Sequence, residues 1–206
     1  MPNPSALTVR EARPGADDDV VAELIGQYLA WALRRLADEY GVDDLPTDPA
    51  RVRQGLADYR RPQGILLLVE DAGRPVGVGA ARNLGAGISE VKRMFVLPDV
   101  RSRHAGSKIL DRLIQEAGAI GAHTLRLDTC RFMTDAQGLY RSRGFVERSP
   151  YEGTEIPARL QQHWLFFERS LNVAGDPKPQ SGTAKGKKRE VRSGRDSKPR
   201  FPTPSR

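Results

Sequence analysis

Residues 95–113 read FVLPDVRSRHAGSKILDRL, and the parsing of that stretch decides the rest of the chain. Phe95, Val96 and Leu97 close an aromatic and β-branched run, and Pro98 turns it. Ile109, Leu110 and Leu113 then resume at the three- and four-residue spacing of a helix. Between the two, Arg101, Arg103, His104 and Lys108 crowd cations around the small residues Ala105, Gly106 and Ser107. A loop entering a helix presents backbone N–H groups that have no intrahelical acceptor, at the positive end of the helix dipole. Small side chains there let an anion approach the backbone, and guanidinium pairs well with phosphate oxygens. The corner therefore reads either as a solvated helix start or as a nest for phosphate. Two commoner phosphate motifs do not account for it. The only Gly-Lys pair, Gly186-Lys187, lies far from any strand-to-helix turn, and GVGAAR at Gly77 lacks a third glycine and opens no helix.

Working outward, ISEVKRMFVL before the corner is a strand. GILLLVEDAGRPVGVGAARNL is two apolar runs joined by Asp71-Ala72-Gly73-Arg74, a hairpin signal, so three successive strands form an antiparallel meander. Earlier, ALTVREA alternates as a strand, and Asp17 to Leu36 carries apolar residues at helical spacing behind an acidic start. A short second helix is expected from about Pro49 to Tyr59. After the corner, Gly118 and Gly121 close the helix and HTLRLDTC is a strand. TDAQGLYRSRG is a helix with Thr134 as its cap and Gly144 as its terminator. FVERS and HWLFFERSL are strands on either side of a loop. The order β-α-α-β-β-β-α-β-α-β-β predicts one α/β domain with a mixed sheet and helices on both faces.

Composition narrows the class. The 206 residues give room for one sizeable core. The single cysteine, Cys130, makes no internal disulfide, no run approaches the ~18 apolar residues of a membrane span, and no secretory leader is visible. A soluble cytoplasmic protein is expected. The formal charge of +7 is unevenly held. Residues 172–206 contain ten Lys or Arg and three Asp or Glu, leaving 23 basic and 23 acidic residues in a formally neutral body. That segment is rich in Pro, Gly, Ser and Lys, with Phe201 its one aromatic, and is expected to be a disordered basic tail able to bind polyanions weakly and nonspecifically. His104, His123 and His163 are too scattered for a metal site. A homodimer is left open.

Two motifs together carry a family resemblance. VLPDVRSRHAGSKIL resembles the pyrophosphate-binding motif R/Q-x-x-G-x-G/A of the GNAT (Gcn5-related) N-acetyltransferases, with His104 at the first glycine position and Gly106 at the last. AQGLYRSRGF, Ala136 to Phe145, is similar to the family's A-x-x-L-Y-x-x-x-G-F, with Met133 where an asparagine is frequent. The resemblance covers about residues 5–171, which sets the domain boundary. It implies a mostly antiparallel sheet of about seven strands, splayed between the fourth and fifth and flanked by about four helices.

The resemblance further implies transfer of an acetyl group from acetyl-CoA to an amine by direct attack, with no metal. Pantetheine would lie along the backbone of Met94, Phe95 and Val96, and the pyrophosphate on amides of Arg101, Ser102, Arg103, His104, Ala105, Gly106 and Ser107. Tyr140 would protonate the departing thiolate, and a strand-four amide such as that of Met94 would meet the oxyanion. An alkylamine with a pKa near ~10 must lose a proton before attack, and Glu90 is the candidate base, directly or through water. The first two helices and the loop Pro150 to Gln162 would shape the acceptor pocket, whereas Tyr28, Trp31 and Trp164 read as core residues, with pocket lining the alternative for Tyr28 or Trp31. Glu152 and Glu155 in that loop suggest a cationic acceptor. The alternative is an inactive acyl-CoA-binding sensor or interaction module.

Overall fold

A computed structural model of the chain describes residues 6–45 and 48–171. Seven strands, β1 Thr8–Glu11, β2 Gly64–Asp71, β3 Arg74–Gly85, β4 Ile88–Val96, β5 Thr124–Cys130, β6 Val146–Arg148 and β7 Trp164–Ser170, form one sheet. Their order is β1-β2-β3-β4-β5-β7-β6, with the β4–β5 pair parallel and the others antiparallel. The helices are α1 Asp18–Tyr40, α2 Pro49–Gln54, α3 Ala105–Ala119 and α4 Thr134–Ser142. The expected element order is thus the observed one. The basic segment 172–206 lies outside the described residues. No helix among the described residues is long and apolar enough to cross a membrane.

The apolar run Ile65 to Val69 is buried throughout because the sheet is covered on both faces. Period-two alternation divides it: Ile65, Leu67 and Val69 pack with Ile109, Leu110 and Leu113 of α3, whereas Leu66 and Leu68 pack with Val21, Leu24 and Ile25 of α1. Each such side chain contributes roughly 1.5–3 kcal/mol of burial. The β2–β3 hairpin closes through Ala72 and Gly73, both at positive φ (50° and 82°), the twist a two-residue connection requires.

Two local expectations are corrected. The second helix is not continuous to Tyr59: α2 stops at Gln54 and a 3₁₀ turn runs Gly55–Tyr59, where the poor helix former Gly55 sits at the break. Thr134 is the first residue of α4 rather than its cap, because Gln137 N–H already donates to the Met133 carbonyl at 3.1 Å.

Two departures from regularity position the site. The parallel β4–β5 ladder holds only for Ile88 to Glu90 against Thr124 to Arg126, after which the strands part. Beyond that point β4 stays on β3 and β5 stays on β7. Within β4 the register jumps from Ala80↔Lys92 to Val78↔Phe95, so Gly79 faces both Arg93 and Met94, and Arg93 takes φ 56°. A Cβ on Gly79 would lie 2.2 Å from Ile109 Cγ2, so only glycine lets α3 pack this closely on the bulge.

The corner is more built than a plain loop. A 3₁₀ turn, Pro98–Arg103, follows β4, and His104 at φ 59° redirects the chain into α3. The left-handed conformation at His104 is one that glycine adopts without strain and other residues rarely do.

Candidate active site

Where β4 and β5 part, backbone edges that would have paired with a neighbouring strand face open space instead. The inner part is a chamber of about 200 Å³ between Val91 to Met94 of β4 and Asp128 to Cys130 of β5. Tyr28, Leu29, Ala32, Leu33 and Leu36, one face of α1, line it, as do Ala136 and Tyr140 of α4. An outer groove of about 500 Å³ shares Tyr28, Met94, Met133 and Ala136 with the chamber and continues past Phe95 and Val96 to Arg101.

Tyr140 is 7 % exposed, its ring against Phe145 and Phe167 at centroid distances of 6.1 Å each. Its hydroxyl makes no hydrogen bond among the described residues, yet no buried side-chain oxygen or nitrogen there lacks a partner. The hydroxyl is therefore open to the chamber. The same reasoning applies to Tyr28. Burial, then the nearby negative charge of Asp128, pushes the Tyr140 phenol well above its ordinary pKa, so it keeps its proton at neutral pH.

Asp128 is the carboxylate that the splay opens to the chamber. Alternation on β5 turns Leu125 and Leu127 into the core on the α3 side and leaves Asp128 on the opposite face. Its Oδ2 accepts from Lys92 Nζ at 2.6 Å, and its Oδ1 has no partner among the described residues and is open. Burial raises the Asp128 pKa against the opposing pull of Lys92. Lys92 is itself 8 % exposed; burial disfavours its charge, but Asp128, Glu90 and Glu155 outweigh that and hold it as a cation.

Glu90 lies beside the splay, as the sequence reading had it, but does not line the chamber. It lies in the last paired rung, opposite Arg126, and is wholly buried away from the chamber lining. Its Oε2 accepts from Arg82 Nε at 2.8 Å, and its Oε1 accepts from the Tyr151 hydroxyl at 2.6 Å with Lys92 Nζ at 3.3 Å. With both oxygens engaged, it anchors cations behind the site. Asp128 escaped sequence reasoning, although a carboxylate directly after the alternating leucines of LRLDTC was a signal. The Tyr151 contact had none.

The expected cofactor residues fall in two places. Met94, Phe95 and Val96 line the outer groove on the strand edge freed by the splay. At the corner, Arg101 reaches the groove, donating from Nε to the Val96 carbonyl at 3.2 Å with its guanidinium 5.9 Å from the Trp31 ring. Arg103 is tied to the β2–β3 hairpin, bonding Asp71 at 2.5 and 3.1 Å. Ser102 and His104 belong to the turn, and Ala105, Gly106 and Ser107 are the first turn of α3, whose N–H groups have no acceptor within the helix. A Cβ on Gly106 would meet Leu139 Cδ2 at 3.5 Å, an ordinary packing contact with α4. Groove, freed strand edge and amide-rich corner fit an elongated acyl thioester with a pyrophosphate. Trp31 lines the outer groove, and Glu155 and Ile156 bring the expected loop to the chamber; Glu152 is exposed and does not line it. Cys130 is buried, and burial pushes its thiol far up, so it stays a thiol.

Known proteins resemble the chain in sequence and in fold. Residues 25–145 match the Acetyltransferase (GNAT) family. An IAA acetyltransferase of Azospirillum brasilense is 33% identical over 172 residues, covering 83% of this chain and 100% of that protein. An uncharacterized N-acetyltransferase of Schizosaccharomyces pombe is 30% identical, covering 76% and 93%. Among solved structures, yncA of Salmonella typhimurium with its cofactor acetyl-CoA superposes with a TM-score of 0.60 at 22% identity, covering 84% and 98%.

Proposed function

The chain belongs to the GNAT acetyltransferase family, and we propose that residues 5–171 transfer an acetyl group from acetyl-CoA directly to the amine of a bound acceptor. The observation that carries this reading is the convergence, at one splay, of the open Tyr140 hydroxyl and the open Asp128 Oδ1. Acetyl-CoA supplies a thioester carbonyl as electrophile. Met94, Phe95 and Val96 would hold its pantetheine, and the corner from Arg101 to Ser107 its pyrophosphate. The acceptor ammonium first gives a proton to solvent. As the C–N bond forms and the C–S bond breaks, Asp128 takes a second proton from nitrogen while Tyr140 donates one to sulfur. Solvent returns the proton from Asp128 to Tyr140, so the proton nitrogen loses is the one sulfur gains. The bulge at Arg93 re-aims the β4 backbone, which supports the Met94 amide as a donor to the carbonyl oxygen.

The test is thiol release from acetyl-CoA with a panel of amines. Tyr140→Phe is expected to lower kcat by roughly 10²-fold or more while leaving the acetyl-CoA Kd within about twofold. Undiminished turnover in that variant would remove Tyr140 from the chemistry. An intact protein that binds acetyl-CoA but releases thiol with no amine would be a binding module instead.

A further inference from the structure

We propose that the acceptor is a small α-amino acid with an apolar side chain, its carboxylate held by Arg93 and its amine beside Asp128. This deepens, and rests on, the acetyltransferase reading above.

Charge argues first. The ionisable groups lining the chamber, apart from its phenols and the thiol, are Lys92, Arg93, Asp128 and Glu155, two cations and two anions. Only one acid oxygen, Asp128 Oδ1, is left to meet an additional cation. Asp128 Oδ2 holds Lys92 at 2.6 Å, and Glu155 Oε1 holds Arg82 at 2.6 Å. A polyamine would bring a second ammonium with no carboxylate to receive it, and a buried unpaired charge is strongly disfavoured. Glu155, one of the two acids that suggested a cationic acceptor, is thus already paired with Arg82, Lys92 and Arg93.

Arg93 argues second. Regular alternation would turn Lys92 and Arg93 to opposite faces of β4, but the bulge, with Arg93 at φ 56°, lets both line the chamber. A non-glycine residue held in the left-handed region carries strain that the fold must offset. The Arg93 guanidinium makes no hydrogen bond among the described residues, and its ion pair is a loose one, 3.7 Å to Glu155 Oε2. No buried side-chain nitrogen lacks a partner, so its donors are accessible. A planar fork of accessible donors suits a carboxylate.

The rest of the lining argues third. Leu33, Leu36, Leu45, Ile156 and Trp164 offer no charge and suit an apolar side chain. A zwitterion adds one charge of each sign to a chamber that is already balanced, the ammonium opposite Asp128 Oδ1 and the carboxylate opposite Arg93. After transfer the product is an N-acetyl amino acid, which has lost its cation and with it the attraction to Asp128.

The experiment compares phenylalanine with phenethylamine, its decarboxylated counterpart, and with spermidine, in thiol release by the full chain, alongside calorimetric titration of phenylalanine in the presence of CoA. Phenylalanine is expected to give at least about a tenfold higher kcat/KM than either amine. Arg93→Gln is expected to raise its KM about tenfold with little change in kcat, to leave phenethylamine unaffected, and to weaken the titration; Arg93→Lys should recover part of the loss. Better turnover of phenethylamine or spermidine would overturn the amino-acid assignment while the acetyltransferase reading stood. Arg93-dependent binding without turnover of any amine would uphold the ligand and overturn the transfer reading. Neither binding nor turnover of phenylalanine would overturn the proposal.

Discussion

Glu90 and Asp128 sit on neighbouring strands, and the difference between them is one of coordination. Glu90 is saturated by Arg82, Lys92 and Tyr151, whereas Asp128 keeps one oxygen open to the chamber. Removing a buried charge that holds two cations leaves Arg82 to Glu155 and Lys92 to Asp128, each with one carboxylate partner fewer, at a cost of about 1–3 kcal/mol. Glu90→Gln is therefore expected to lower the urea midpoint while changing kcat of the folded enzyme by less than about tenfold. An unchanged midpoint with kcat abolished would restore Glu90 as the base and dismiss Asp128. At this scale the sequence was informative where a motif fixes an element and its face. Tyr140 follows from the L-Y…G-F frame, and the chamber does receive it. It was uninformative about Asp128 and Arg93, because residue types do not say where a ladder ends or where a bulge breaks alternation.

Elements were easier to read than their junctions. The longer strands and helices follow from apolar periodicity and turn residues, since each is a local pattern with one burial solution. The splay came only by family resemblance, because it arises from an absence of pairing past Glu90 that no local pattern encodes. The split of α2 and the cap of α4 turned on single hydrogen bonds at element ends. The bulge makes a prediction at the same scale. Gly79→Ala places a methyl 2.2 Å from the fully buried Ile109, so α3 or the bulge must shift, at about 1–3 kcal/mol. Gly26 lies within α1 with nothing within 4 Å of a Cβ, so Gly26→Ala should stabilise by roughly 0.5–1 kcal/mol. Opposite shifts in urea midpoint for the same chemical change are the expected result, with kcat/KM falling only for Gly79→Ala. A neutral Gly79→Ala would mean that the close approach of α3 does not hold the bulge.

Over the whole molecule, the acidic and basic residues of the body are equal in number, whereas the sequence of residues 172–206 carries a net +7. Body cations bridge distant parts of the fold: Arg10 to Asp17 at 2.7 Å and to Glu70 at 2.6 Å, Arg61 to Glu116 at 2.6 Å, Arg143 to Asp111 at 2.7 Å. With 23 basic and 23 acidic residues the body has no net field to draw a polyanion, whereas the last 35 residues hold the entire excess of +7. The cofactor groove and corner lie within the body, so the two properties should separate on truncation. A chain ending at Leu171 is expected to keep its acetyl-CoA affinity within about twofold and to lose retention on heparin or RNA at low salt. In the full chain log K should fall with log salt concentration at a slope of about −0.7 to −0.9 per phosphate neutralised. Retention that survives truncation would locate the polyanion site on the folded body. Lost acetyl-CoA affinity would mean that the basic segment takes part in holding the cofactor, and residues 5–171 would not be the whole functional unit.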